Sequence, residues 1–121
     1  MASDPIRLFD TRDPRTAPGG VVSRLAEGRE LPVQITGTGV VPAGATAVAL
    51  NLTAADPSAD GYVKVYPCGG TPPVVSNVNY RTHQVAAANL AVVKLPPDGR
   101  VCFSSYAPTD LVVDLAGWFV G

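Results

Sequence analysis

Residues 48–66 read VALNLTAADPSADGYVKVY. Val48, Leu50 and Leu52 alternate with Ala49 and Asn51. After a polar stretch the alternation resumes, with Val63 and Val65 on one side and Tyr62, Lys64 and Tyr66 on the other. A period of two puts successive side chains on opposite faces, so each half reads as a strand with one buried face. Between them lies Asp60-Gly61. Gly accepts the positive φ of a tight turn and Asp tolerates the left-handed region, so the pair predicts a hairpin.

Working outward, the same grammar recurs. LAVVKLPPDGRVCF, residues 90–103, again gives apolar strand, Pro, Asp-Gly and a strand with Val. All β-hairpins share this chemistry, which accounts for the echo; a repeated, prism-like arrangement is the alternative. RELPVQITG (29–37) alternates Leu31, Val33 and Ile35 with polar neighbours. TDLVVDLAGWFV (109–120) is nearly continuous in apolar character. HQVAAANLAVVKL (83–95) is ambiguous at its alanines, but NLAVVKL suits a strand. The 12 Gly and 12 Pro break the chain into pieces too short for typical helices. Strands are expected at 5–12, 30–37, 45–54, 61–67, 74–80, 88–95, 100–106 and 110–120. The expected fold is all-β: a compact, single-domain β-sandwich of about eight strands spanning 1–121. Jelly-roll and immunoglobulin-like topologies are both open, with a β-prism or barrel as the alternative, because the sequence does not partition strands between sheets.

Composition narrows the function classes. The chain has 121 residues, 46% of them hydrophobic, enough for one domain with a core. Only 16% are charged and the net charge is −1, with no basic block. That gives nucleic-acid binding no electrostatic footprint. No apolar run approaches the roughly 20 residues of a membrane span, so membrane insertion is not expected. The opening residues MASDPIRLFD lack the charged head and apolar core of a signal peptide. Cys68 and Cys102 permit one disulfide, which would imply an oxidising compartment; two buried free thiols are the alternative.

Candidate chemistry is sparse. His83 is the only histidine and sits in NYRTHQVA, without a nucleophile elbow beside it. Cys68, Cys102 and His83 are too few soft ligands for zinc. Asp56, Ser58 and Asp60 match a calcium loop loosely, without EF-hand order. PCGGTPP lacks the Lys-Ser and helix of a phosphate loop. No cofactor is expected. Paired acids could cleave glycosides, but nothing in the spacing brings Asp10, Asp13 or Asp114 together in a cleft, so no enzyme is expected. Aromatic residues are the remaining binding currency. Tyr62 and Tyr66 share a face, Tyr80 adjoins Arg81, and Trp118 and Phe119 point to opposite faces, which puts one of them in the core. Tyr62, Tyr66, Tyr80, Arg81 and Trp118 are therefore the candidate ligand-binding residues, since aromatic faces stack on sugar rings.

IRLFDTRDPR (6–15) concentrates charge around one Leu-Phe pair. Asp114 lies within an apolar strand, where a charge needs a partner. The expectation is a structural latch in which Arg12 meets Asp114 or Asp10 and ties the first strand to the last. Losing one partner would cost roughly 3–5 kcal/mol if the pair were buried, so Arg12→Ala is expected to lower the melting temperature strongly.

Taken in order, RLFDTR, VPAGATAVALNLTA, GYVKVYPCGG, SNVNYRTHQVAAANLAVVKL and GRVCFSSYAPTDLVVDLAGWF cover nearly the whole chain. Together they resemble a family of β-modules found in actinobacterial secreted and cell-surface proteins. The resemblance implies a Cys68–Cys102 disulfide, an extracellular or cell-surface location, and an appendage role with no catalytic residues to carry over. The expected function is thus a non-catalytic module that binds cell-wall or extracellular glycan or spaces other domains. The alternative is a structural assembly protein, such as a phage capsid decoration or tail component in a virion. That role would involve protein partners and leaves a homo-oligomer open.

Overall fold

The computed structural model describes residues 2–20, 22–69, 78–82 and 86–121. Eight strands run β1 (Ala2–Asp10), β2 (Glu30–Gln34), β3 (Ala45–Ala55), β4 (Gly61–Pro67), β5 (Val78–Tyr80), β6 (Ala86–Lys94), β7 (Arg100–Ser105) and β8 (Asp110–Val120). A short 3-10 turn at Pro18–Gly20 is the one helical element among the described residues. The strands expected at 61–67, from alternation, and at 110–120, from a nearly continuous apolar run, both have the expected bounds. Residues 74–77 and His83 lie outside the described residues.

The strands form two packed four-stranded antiparallel sheets, ordered β1-β8-β3-β6 and β2-β7-β4-β5. Strand 1 pairs with 8, 2 with 7, 3 with 6 and 4 with 5. This is one long hairpin rolled over on itself, the jelly-roll topology. It rules out the immunoglobulin-like, prism and barrel alternatives.

The roll corrects the reading of both Asp-Gly turns. Neither joins a hairpin, because β3–β4 and β6–β7 each pass from one sheet to the other. An Asp-Gly pair marks a reversal of the chain without saying where the next strand pairs. Gly99 does hold a positive φ of 70°. A Cβ there would also lie 1.7 Å from Thr36 Oγ1, so glycine is required twice over. Gly61 has no positive φ; a side chain there would strike the Tyr80 ring.

The core follows the alternation. Val48, Leu50 and Leu52 of β3, Val63 and Val65 of β4, and Val101 and Phe103 of β7 are buried between the sheets. Leu111, Val113 and Leu115 of β8 complete that layer. Phe9 and Phe103, from opposite sheets, meet edge-to-face with ring centroids 5.3 Å apart. A register shift opposite Ala49 and Leu50 breaks the alternation of β8. Beyond it, Trp118 packs against the core and Phe119 is exposed.

Candidate functional site

The outer face of the β2-β7-β4-β5 sheet carries the side chains that the core does not take. Because Val63 and Val65 point inward, Tyr62, Lys64 and Tyr66 point outward. Pairing places Lys64 opposite Ser104 on β7, and Ser104 opposite Glu30 on β2. Just past β7, the Tyr106 backbone N–H donates to the Tyr62 carbonyl at 2.9 Å. This aligns the two rings, which stack with centroids 5.3 Å apart and planes 23° from parallel. Lys64 Nζ lies 5.4 Å from the Tyr62 ring centre, within cation–π range. The result is a shallow concavity of about 460 Å³, floored by tyrosine and rimmed by Glu27, Glu30 and Lys64.

The tyrosines have different jobs. Tyr106 is 58% exposed and presents its ring to solvent. Tyr66 is on the same face but buried, and its hydroxyl donates to Glu30 Oε2 at 2.7 Å. Burial, then the Glu30 carboxylate, raise the Tyr66 pKa, so the phenol stays a donor. It anchors Glu30 instead of offering a free ring. Tyr80, expected to bind ligand, belongs to the core. Its hydroxyl donates to the Ala107 carbonyl and accepts the Ala107 N–H at 3.1 Å. Burial raises its pKa as well. Arg81 is exposed just past β5 and does not line the concavity. Trp118 lies on the other sheet, beside Val40 and Pro42. Of the five candidates, the structure therefore brings together Tyr62 and Tyr66. The sequence reading missed Tyr106, Lys64 and Glu30.

Cys68 and Cys102 form a disulfide with Cα atoms 5.0 Å apart. Cys102 is opposite Tyr66 in the ladder, so the bridge ties the end of β4 to β7 beside this face. Among the described residues, no three His, Cys, Asp or Glu side chains cluster as a metal site.

In the charged opening stretch Arg12 meets Asp10, one of its two expected partners, but this local pair does not tie the first strand to the last. Arg12 does not reach Asp114. Its Nε and Nη2 each donate to one Asp10 oxygen at 3.0 Å, and its backbone N–H adds a bond of 2.9 Å. Arg15 makes the same fork onto Asp13 at the surface. The side chain that spans strands is Arg7, whose Nε donates to Asp114 Oδ1 at 2.8 Å. Pairing of β1 with β8 sets Arg7 directly opposite Asp114. A deeper latch is Thr11, which is 2% exposed. Its Oγ1 donates to Asp110 Oδ1 and accepts the Leu111 N–H, both at 3.0 Å. Its own N–H donates to the Leu111 carbonyl at 3.1 Å.

This changes the expected mutational order. The Arg12 side chain is 52% exposed, so Arg12→Ala loses about 1–2 kcal/mol, not the cost of a fully buried pair. Thr11→Val keeps the volume, removes the hydroxyl and leaves the Leu111 N–H unpaired. It costs about 2–3 kcal/mol. Urea unfolding of both variants checks the ranking, and a more damaging Arg12→Ala would reverse it.

Acid gives a second test. The Arg12 side-chain hydrogen bonds hold the Asp10 carboxyl below its usual range, helped by the Arg12 N–H and the charges of Arg12 and Arg7. A depressed folded pKa stabilises at pH above the unfolded value, near 3.8, and that contribution fades as pH falls through the folded value. Below about pH 4 the melting temperature of the wild type therefore falls more steeply than that of Asp10→Asn. Parallel slopes in thermal scans from pH 5 to 2 would exclude this role.

No protein-family model matches the chain, and no curated protein or solved structure matches it either.

Proposed function

We propose that this chain is a non-catalytic, extracellular accessory module that binds glycan on the outer face of the β2-β7-β4-β5 sheet. One observation carries the reading: the exposed Tyr106 ring stacks on Tyr62 above a concavity rimmed by carboxylates and an ammonium. Such a face offers a sugar an apolar platform and hydrogen-bonding groups at its edge. The resemblance to actinobacterial surface modules supports the same setting. So does the disulfide, which suits an oxidising compartment. Among the described residues no helix is long and apolar enough to cross a membrane.

The test is depletion of the oxidised protein from solution by insoluble actinobacterial cell walls. Depletion is expected to saturate, and Tyr106→Ala is expected to weaken it by about threefold to tenfold, since a stacked ring is worth about 0.5–1.5 kcal/mol beyond its buried area. Tyr106 is exposed, so the variant keeps its fold. No depletion, or none that depends on Tyr106, would remove the glycan reading.

A second reading rests on the opposite sheet. Leu90 and Val92, on edge strand β6, are 56% and 63% exposed, and Phe119 is exposed two strands away. An apolar edge of this kind favours association and supports a structural assembly protein. Native mass measurement separates the two: a closed symmetric oligomer favours assembly, and a monomer favours the binding module.

A further inference from the structure

A second concavity lies on the other side of the segment that carries Glu27 and Glu30. We propose that it binds the carboxylate of a small organic acid with an apolar body. The cavity holds about 230 Å³; Pro18, Leu25 and Leu31 give it an apolar lining, and Ser23, Arg24 and Arg29 a polar one. The turn at Gly28, with its positive φ of 68°, lies between Glu27 and Arg29. Glu27 and Glu30 line the tyrosine face, whereas Arg29 and Arg24 line this cavity. Arg29 thus meets an apolar recess with Glu27 and Glu30 turned away, beside an Arg24 that is ion-paired to Asp110 and lies 3.9 Å from Asp56.

The guanidinium of Arg24 is only partly satisfied. Nη1 donates to Asp110 Oδ2 at 2.9 Å, and Nη2 to the carbonyls of Asp56 and Pro108. Its Nε is buried and has no hydrogen-bond partner among the described residues. Buried donors are almost always paired, so this one marks a guanidinium that the protein's own groups do not use fully. Arg29 is exposed and has no carboxylate partner among the described residues. A carboxylate accepts paired guanidinium donors in a planar fork. Leu25, Leu31 and Pro18 would then cover a compact ring or branched chain.

The probe is 4-fluorobenzoate, followed by fluorine NMR on the intact protein, with 4-fluorobenzamide as the neutral twin. The acid is expected to bind saturably and at least about tenfold more tightly than the amide, the contribution of a charge-assisted contact. Arg29→Gln is expected to weaken the acid by about tenfold without moving the melting temperature, because that side chain is exposed and has no carboxylate partner among the described residues. Tyr106→Ala is expected to leave acid binding unchanged, so the site stands or falls apart from the glycan reading. Equal binding of acid and amide, binding of neither, or an Arg29→Gln variant of unaltered affinity would each overturn the proposal. Displacement by inorganic phosphate at the concentration at which benzoate displaces would overturn the requirement for an apolar body.

Discussion

Phe103→Ala is expected to lower the stability of this protein by about 3–5 kcal/mol. Phe103 is fully buried at the centre of β7, with Leu31 of β2 and Val65 of β4 as its ladder neighbours. Its ring is the part of one sheet that meets Phe9 of the other. Truncation removes the transfer energy of the ring, opens a cavity between the sheets and ends an edge-to-face contact worth about 1 kcal/mol. Natural domains hold only about 5–15 kcal/mol in total, so the variant sits near the limit of folding. Phe119→Ala, at a half-exposed position, is the control and stays within about 1 kcal/mol of wild type. Urea midpoints with unchanged slopes check both. A Phe103→Ala loss below about 1 kcal/mol would mean that the sheets are not packed through this ring.

The Cys68→Ala/Cys102→Ala double variant is expected to lose about 3–4 kcal/mol, close to 10–20 °C in melting temperature. The bridge spans 34 positions and encloses β5 and β6. Its main effect falls on the unfolded chain, which regains the freedom that the closed loop denies it. Alanine avoids placing a hydroxyl at the buried Cys102. Thermal scans of the double variant and of the oxidised wild type decide the point. Equal melting temperatures would show that the bridge is incidental to stability.

The strands were legible because burial imposes a period of two. Val48, Leu50 and Leu52 could be assigned to one face without knowing what covered them. Sheet membership was not legible, because Asp60-Gly61 and Asp98-Gly99 announce a change of direction and nothing about pairing. The same limit explains the site. Tyr62 and Tyr66 could be placed on a shared face from β4 alone. Tyr106 joins them through the pairing of β4 with β7 and the chain just beyond, a long-range contact that local alternation does not carry. Tyr80 was misread because Asn79 and Arg81 flank it with polar groups. Its ring still turns inward, and the Ala107 backbone satisfies its hydroxyl. Arg7 was overlooked in favour of Arg12 because the partner of Asp114 is set by register with β8. Thr11 had a weaker signal: a small hydroxyl between two charged residues, at the point where the strand ends.

The rolled hairpin also dictates how the molecule must assemble in time. Only β4 and β5 are neighbours both in sequence and in a sheet; Arg7 and Asp114 are 107 positions apart. Each pair outside that centre closes a longer loop than the one before. Pairs 4·5, 3·6, 2·7 and 1·8 alternate between the two sheets, so neither sheet can be finished ahead of the other. Refolding is therefore a slow, concerted event on the scale of milliseconds to seconds, as for other chains dominated by distant contacts. Until it completes, the platform for Tyr62 and the seat of Arg7 are equally unformed.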